Sequence, residues 1–230
     1  MTLHRFFVEP SAMTGERFPL PSAIERQVLR VLRLGAGDRI VLLTGDGTEA
    51  ICVLDDSGGC AIDKRRAVSS EPRHRLTIVQ SLLKGDALEG VVQHGTEIGV
   101  AAFQLVVTER CIAREISPRK LARLRVIARE AAEQSERGIV PPVGAPVGLS
   151  EVLTPGSVLL YERNDGVRLA ALENPSTVII GPEGGFSPDE VSAAHEAGAI
   201  IAGLGPRILR SPTVGVAVAA TILSRTGDFG

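Results

Sequence analysis

Tryptophan is absent from the 230 residues, tyrosine occurs once, and aromatic residues make up only 3 % of the chain. There is little material here for stacking single-stranded bases, so any RNA contact is expected through phosphate and shape, on a folded RNA or an assembled particle. Basic residues are not in excess: 25 Lys and Arg face 27 Asp and Glu, a net charge of −2. That excludes a globally basic nucleic-acid binder and leaves only local patches for any RNA or DNA contact. Three cysteines, Cys52, Cys60 and Cys111, form an odd set without C-x-x-C spacing. Neither a disulfide framework nor a zinc site is expected, and a reducing cytoplasm is the natural setting. His4, His74, His94 and His195 show no metal-ligand spacing. No window approaches roughly 18 uncharged apolar residues, so no membrane span is expected. The opening MTLHRFFVEP carries charge early and lacks an apolar core, so it does not read as a signal peptide.

What is present divides in two. Strand-like segments at Arg5–Val8, Arg39–Thr44, Glu49–Val53 and Cys60–Lys64 surround one helical stretch, Ser22–Leu34, with Ser22 as its N-cap and Gly35 as its stop. Thr44-Gly45-Asp46-Gly47 is a hairpin signal. A small β-barrel domain over residues 1–68 is the expectation. The polar stretch Ala67–His74 contains Pro72 and reads as a linker. Residues 75–230 then alternate strand and helix, with strands at Leu76–Leu83, Ala102–Thr108, Ser157–Tyr161, Thr177–Ile180 and Ala199–Leu204. Their continuous apolar runs predict a parallel sheet covered on both faces, and hence an α/β domain. Ser117-Pro118 opens one helix and the capping box Ser187-Pro188-Asp189-Glu190 opens another. Val214–Ser224 is apolar nearly all round, so it is expected inside the domain or in an oligomer interface.

Two loops attract chemistry. GPEGGF, Gly181–Phe186, follows an apolar strand and precedes a helix, yet it matches neither G-x-G-x-x-G nor a Walker loop. Glu183 opposes a phosphate, and Asp189 and Glu190 already complement the helix dipole. Two readings stand: a backbone-rich wall for a planar ligand at the carboxyl end of a parallel strand, or a plain structural turn. In the second loop, Leu204–Gly215, Ile208 and Leu209 are unusual unless they enclose something apolar or pack into the core.

GPEGGFSPDE, LGPRILRSPT, HGTEIGV (His94–Val100) and EAAEQSERGIVPPV (Glu130–Val143) together resemble the 16S ribosomal RNA uridine-N3 methyltransferases, of the SPOUT class of S-adenosylmethionine enzymes. FFVEP and QVLRVLRLGAGDRI (Gln27–Ile40) resemble that family's amino-terminal PUA-like barrel. The resemblance spans nearly the whole chain. It implies a deep trefoil knot in residues 75–230, a homodimer, 16S rRNA or the small ribosomal subunit rather than DNA as partner, and S-adenosylmethionine as the cofactor. By position, the cofactor walls would be Leu160; Gly181, Pro182, Glu183, Gly184 and Gly185; Leu204, Gly205, Arg207, Ile208, Leu209 and Arg210; and Thr213. Three positions depart from the family's pattern. Ser211-Pro212-Thr213-Val214 stands where Thr-Glu-Thr-Ala is usual, His94 where a lysine is common, and Gln27 where a histidine is common. Related possibilities are a SPOUT enzyme for another rRNA or tRNA site and a non-catalytic ribosome-assembly factor.

Methyl transfer to N3 requires positioning and loss of the N3 proton. Arg210 is the candidate for stabilising charge on the uracil oxygens, and Glu183 is a candidate base or a loop-fixing carboxylate. For RNA, Arg26, Arg30 and Arg33 lie on the first helix. Lys64, Arg65 and Arg66 form a second basic cluster and Arg119, Lys120, Arg123, Arg125 and Arg129 a third, each equally readable as a solvated face. Arg137 is expected to share a helical face with Glu130 and Gln134, to orient substrate or to form ordinary pairs.

Overall fold

Short strand-like runs separated by turn glycines dominate the early sequence, and a sheet follows from them. A computed structural model describes residues 3–164 and 166–229. The chain forms two compact units: one runs up to Glu71 and takes in Ala132–Val140, the other holds Pro72–Ala131 and Pro141 onward. Residues 1, 2 and 230, at the outer ends of the two expected domains, lie outside the described residues.

The first unit is built on β1 (His4–Phe7), β2 (Arg17–Pro19), β3 (Arg39–Leu43), β4 (Thr48–Leu54) and β5 (Gly59–Ala67), in the order β1-β3-β4-β5-β2. Only β1 and β3 run parallel; the other pairs are antiparallel. Phe6, Phe18, Ile40, Leu42, Cys52 and Cys60 fill one side. Phe7, Val41 and Leu43 pack with Ala132 in a separate cluster, so the four consecutive residues Ile40–Leu43 of β3 are all buried. This double burial is why Ile40–Leu43 reads as an unbroken apolar run. At the edge of the apolar interior, Glu49 is only 3 % exposed and accepts hydrogen bonds from Arg5 and Arg66. Burial pushes its carboxyl up, but the two guanidinium groups outweigh that and hold it below the ordinary carboxylate range.

The first helix differs from its expected form. It starts as α1 (Ser22–Arg26), preceded by Pro21 as N-cap with no side-chain hydrogen bond, and widens into a π-helical turn over Gln27–Val31. Ser22 is therefore not the cap. Glu25, three residues on where a capping box would need it, lies instead against Gly58, where an added Cβ would meet Glu25 Oε1 at 2.9 Å. Arg33, at φ 57°, ends the turn ahead of Gly35, and the Leu34 N–H donates to Val28 O at 3.0 Å.

The second unit alternates β6 (Thr77–Ser81), α2 (Ala87–Ile98), β7 (Ala102–Val107), α3 (Pro118–Gln134, its last three residues grouped with the first unit), β8 (Val143–Gly148), β9 (Val158–Leu160), β10 (Thr177–Ile180), α4 (Pro188–Glu196), β11 (Ile200–Ala202) and α5 (Ser211–Arg225). The six strands are ordered β11-β9-β10-β6-β7-β8, and every pair is parallel. Val79, Val106, Leu159, Ile179 and Phe186 pack with Ala194 of α4. On α5, Val214, Val218, Ala219, Ile222 and Leu223 are buried, and this helix packs against α2. Most of its apolar surface is therefore used inside the unit. The expected capping box forms: Glu190 N–H donates to Ser187 Oγ at 3.3 Å and Ser187 N–H to Glu190 Oε2 at 2.9 Å.

Candidate functional site

Because β9, β10 and β11 run parallel and adjacent, their carboxyl ends deliver three loops to one edge of the sheet. Open α/β sheets bind ligands at this edge. The loops line a cavity of about 670 Å³, in the size range of small-molecule sites. Leu160, Gly181, Pro182, Glu183, Gly184, Gly185, Leu204, Gly205, Arg207, Ile208, Leu209 and Arg210 all line it. Thr213 does not. Ser211, Pro212 and Val214 around it do, while Thr213 is exposed, turned outward on the first turn of α5.

The glycine loop is tightly made. Gly185 N–H donates to Pro182 O at 3.0 Å, closing a turn with Gly185 at φ 68°. The backbone there favours glycine, and a Cβ would also lie 3.0 Å from Glu162 Oε1, so that side chain would have to give way. Gly205, at φ 133°, makes the corresponding bend in the second loop. Leu160, Ile180, Phe186, Leu204 and Leu209 give the cavity an apolar lining, and Ile208 stands at it 83 % exposed. So large an exposed aliphatic chain beside a cavity answers the question its sequence position raised: it does not pack into the core.

Charge is sparse and of both signs. Glu162 and Glu183 contribute carboxylates; Arg207 and Arg210 contribute exposed guanidinium groups without a side-chain partner among the described residues. Glu183 is tied down, accepting the Lys84 N–H at 3.1 Å. Arg110 Nη1 donates to Gly184 O at 3.2 Å, so the loop after β7 braces the same turn. Among the described residues no group of three or more His, Cys, Asp and Glu side chains is placed to hold a metal ion. No helix among them is long and apolar enough to cross a membrane.

The basic residues fare differently from one another. Arg26, Arg30 and Arg33 are exposed and have no side-chain partner among the described residues; Leu29 and Val31 are exposed beside them. Arg66 is paired to Glu49, Lys120 to Asp86 at 3.8 Å and Arg123 to Glu130 at 3.5 Å, while Arg125 donates to Val143 O at 3.1 Å. Arg137 departs most from expectation. It lies beyond the end of α3, is 3 % exposed, and donates to Glu71 through Nε at 3.3 Å and Nη2 at 2.9 Å. A guanidinium so buried and paired is a structural brace, not a contact offered to RNA.

Sequence reasoning missed Tyr161, Glu162, Ile180, Phe186 and Ala87 in the lining, and took Thr213 in place of its neighbours Ser211, Pro212 and Val214. Tyr161 and Glu162 directly follow Leu160, and the parallel-strand rule that singled out the other two loops would have reached them.

The chain matches the RNA methyltransferase domain family over residues 69–223 and the RNA methyltransferase PUA domain family over residues 28–59. The ribosomal RNA small subunit methyltransferase E of Mycobacterium bovis is 34 % identical over 201 residues, covering 80 % of this chain and 77 % of that protein. Its counterpart from Bacillus subtilis is 31 % identical over 236 residues, 92 % of each chain. The crystal structure of the Neisseria gonorrhoeae ribosomal RNA small subunit methyltransferase E bound to S-adenosyl methionine is similar at a TM-score of 0.88 and 31 % identity, covering 97 % of this chain and 98 % of that one.

Proposed function

The chain belongs to the RNA methyltransferase family, and we propose that it transfers a methyl group from S-adenosylmethionine to N3 of a uridine in 16S ribosomal RNA. The observation that carries this reading is the cavity at the carboxyl ends of β9, β10 and β11. Its apolar walls suit an adenine ring, and the backbone of Gly181–Gly185 offers polar groups to its edges. Glu162 and Glu183 suit a ligand bearing cationic amino and sulfonium groups, and would repel a polyphosphate. Support from outside the chain is the S-adenosyl methionine in the Neisseria structure and the small-subunit rRNA named for both curated relatives.

Bound there, S-adenosylmethionine supplies an electrophilic methyl group on a sulfonium centre. The protein's own part is to hold the uracil ring in line with it and to stabilise the ring as N3 gives up its proton to water. Arg210, exposed at the cavity and without a side-chain partner among the described residues, takes that electrostatic role, countering the charge that develops on the uracil oxygens. Glu183 acts as the loop-fixing carboxylate, since the Lys84 N–H engages one of its oxygens. A trefoil knot belongs to the same reading, supported by a strand order that sets β9 between β11 and β10. So does a homodimer, for which half-buried Val216, Ala217 and Ala220 of α5 offer a small apolar stripe. The cytoplasm, where ribosomal subunits are assembled, is the proposed location.

The first unit is the proposed RNA-holding part, through Arg26, Arg30 and Arg33. Reversing Arg26 and Arg30 to glutamate is expected to weaken binding to 16S rRNA and to lower the salt slope by roughly 0.7–0.9 per lost contact. A slope equal to that of the parent protein would remove this helix from the interface. The reaction itself is tested with labelled S-adenosylmethionine and small subunits lacking the modification. Label in the 16S rRNA is the expected result. A protein that binds the cofactor and the subunit but transfers no label would instead be an assembly factor.

A further inference from the structure

We propose that Gln80 and Ser211 are positioning residues, a buried relay that holds the two cavity loops in their ligand-binding arrangement; this rests on the S-adenosylmethionine reading above. Gln80 lies on β6 in register with Ile180, the last residue of β10, and is fully buried. Its Nε2 donates to Ser81 O at 3.1 Å and to Ser211 Oγ at 3.0 Å. Ser211 Oγ in turn donates to Gly181 O at 2.6 Å. The relay thus runs from the central sheet, through the first residue of α5, to the first residue of the glycine loop. Ser211 and Gly181 both line the cavity.

The direction of the relay is fixed by chemistry. A hydroxyl has one hydrogen; with that given to Gly181, Ser211 can only accept from Gln80. Both amide hydrogens of Gln80 are then committed, and its Oε1 is buried without a partner among the described residues. A buried side chain with an unmet acceptor is worse for core stability than an apolar one of the same shape. Gln80 is therefore accounted for by what it holds.

Without the relay the loops spend time in other arrangements, and apparent affinity falls by the fraction that remains competent. Turnover of the saturated enzyme, whose loops are already seated, changes little. Calorimetric titration of S-adenosylmethionine into Ser211→Ala and Gln80→Leu is expected to show Kd raised about tenfold in each, with the double variant within about threefold of the weaker single one. Ser211→Thr should recover most of the loss, and kcat of Gln80→Leu, a residue outside the cavity lining, should stay within about twofold of the parent at saturating cofactor. Gln80→Asn, too short to reach Ser211, serves if Gln80→Leu fails to fold. Single variants that bind like the parent, or losses that multiply independently, would overturn the relay. A parent protein that does not bind S-adenosylmethionine would overturn the cofactor reading instead. Hydrogen exchange at the Gly184 and Gly185 amides without ligand then still decides the relay: faster exchange in the variants supports it, and unchanged exchange refutes it.

Discussion

Valine at Gly185 is expected to weaken S-adenosylmethionine binding by more than about a hundredfold, equivalent to about 3 kcal/mol. Two effects combine. Gly185 sits at φ 68°, where a β-branched residue carries strain of about 1–3 kcal/mol. Its new Cβ would also meet the Glu162 carboxylate at 3.0 Å, and the branched side chain beyond it would displace that carboxylate at the cavity. Gly156 provides the control, because it has φ 81° with open space around it and does not line the cavity. Gly156→Val should share the backbone strain and keep cofactor affinity. Normal binding by Gly185→Val would remove the glycine loop from the cofactor site.

The second large effect is on stability. Glu71 accepts from Arg137 Nε and Nη2 and from the backbone N–H groups of Gly138 and Ile139, at 2.9 and 3.0 Å. It thereby fixes the Ala132–Val140 segment within the first unit. Glu71→Ala takes the carboxylate from a guanidinium that is only 3 % exposed, and removing one member of a buried pair costs about 3–5 kcal/mol. For a chain of this length that lowers the melting temperature by about 6–12 °C at the low end of that cost. Glu71→Gln, which keeps an acceptor oxygen, should lose less. Arg137→Ala should also melt early while leaving the salt slope of RNA binding where the parent has it. A slope reduced by Arg137→Ala, with the melting temperature unchanged, would restore Arg137 to the RNA interface.

Local signals were legible in the sequence where the structure answers them locally. The Ser187 capping box, the glycine loop and the apolar runs of β6, β7 and β10 each depend on neighbours a few residues away. Two strands were missed for reasons visible in their composition. β8, Val143–Gly148, holds two glycines and Pro146, tolerable because it is the edge strand and its pairing with β7 is irregular there. β2 is only Arg17–Pro19, too short to show a period. The widening of the first helix left no mark that spacing could reveal. Side-chain roles set by distant partners were the least legible. Arg137 finds Glu71 across 66 positions, and Gln80 finds Ser211 across 131. A basic residue after a helix reads as exposed until its carboxylate is seen, and a glutamine at a strand end reads as polar trim.

The central claim is most directly tested by nucleoside mass spectrometry of 16S rRNA from cells with and without the gene. Loss of 3-methyluridine from the knockout, restored by the parent gene and not by Gly185→Val, is the predicted result. Persistence of 3-methyluridine at its full level in the knockout would contradict it.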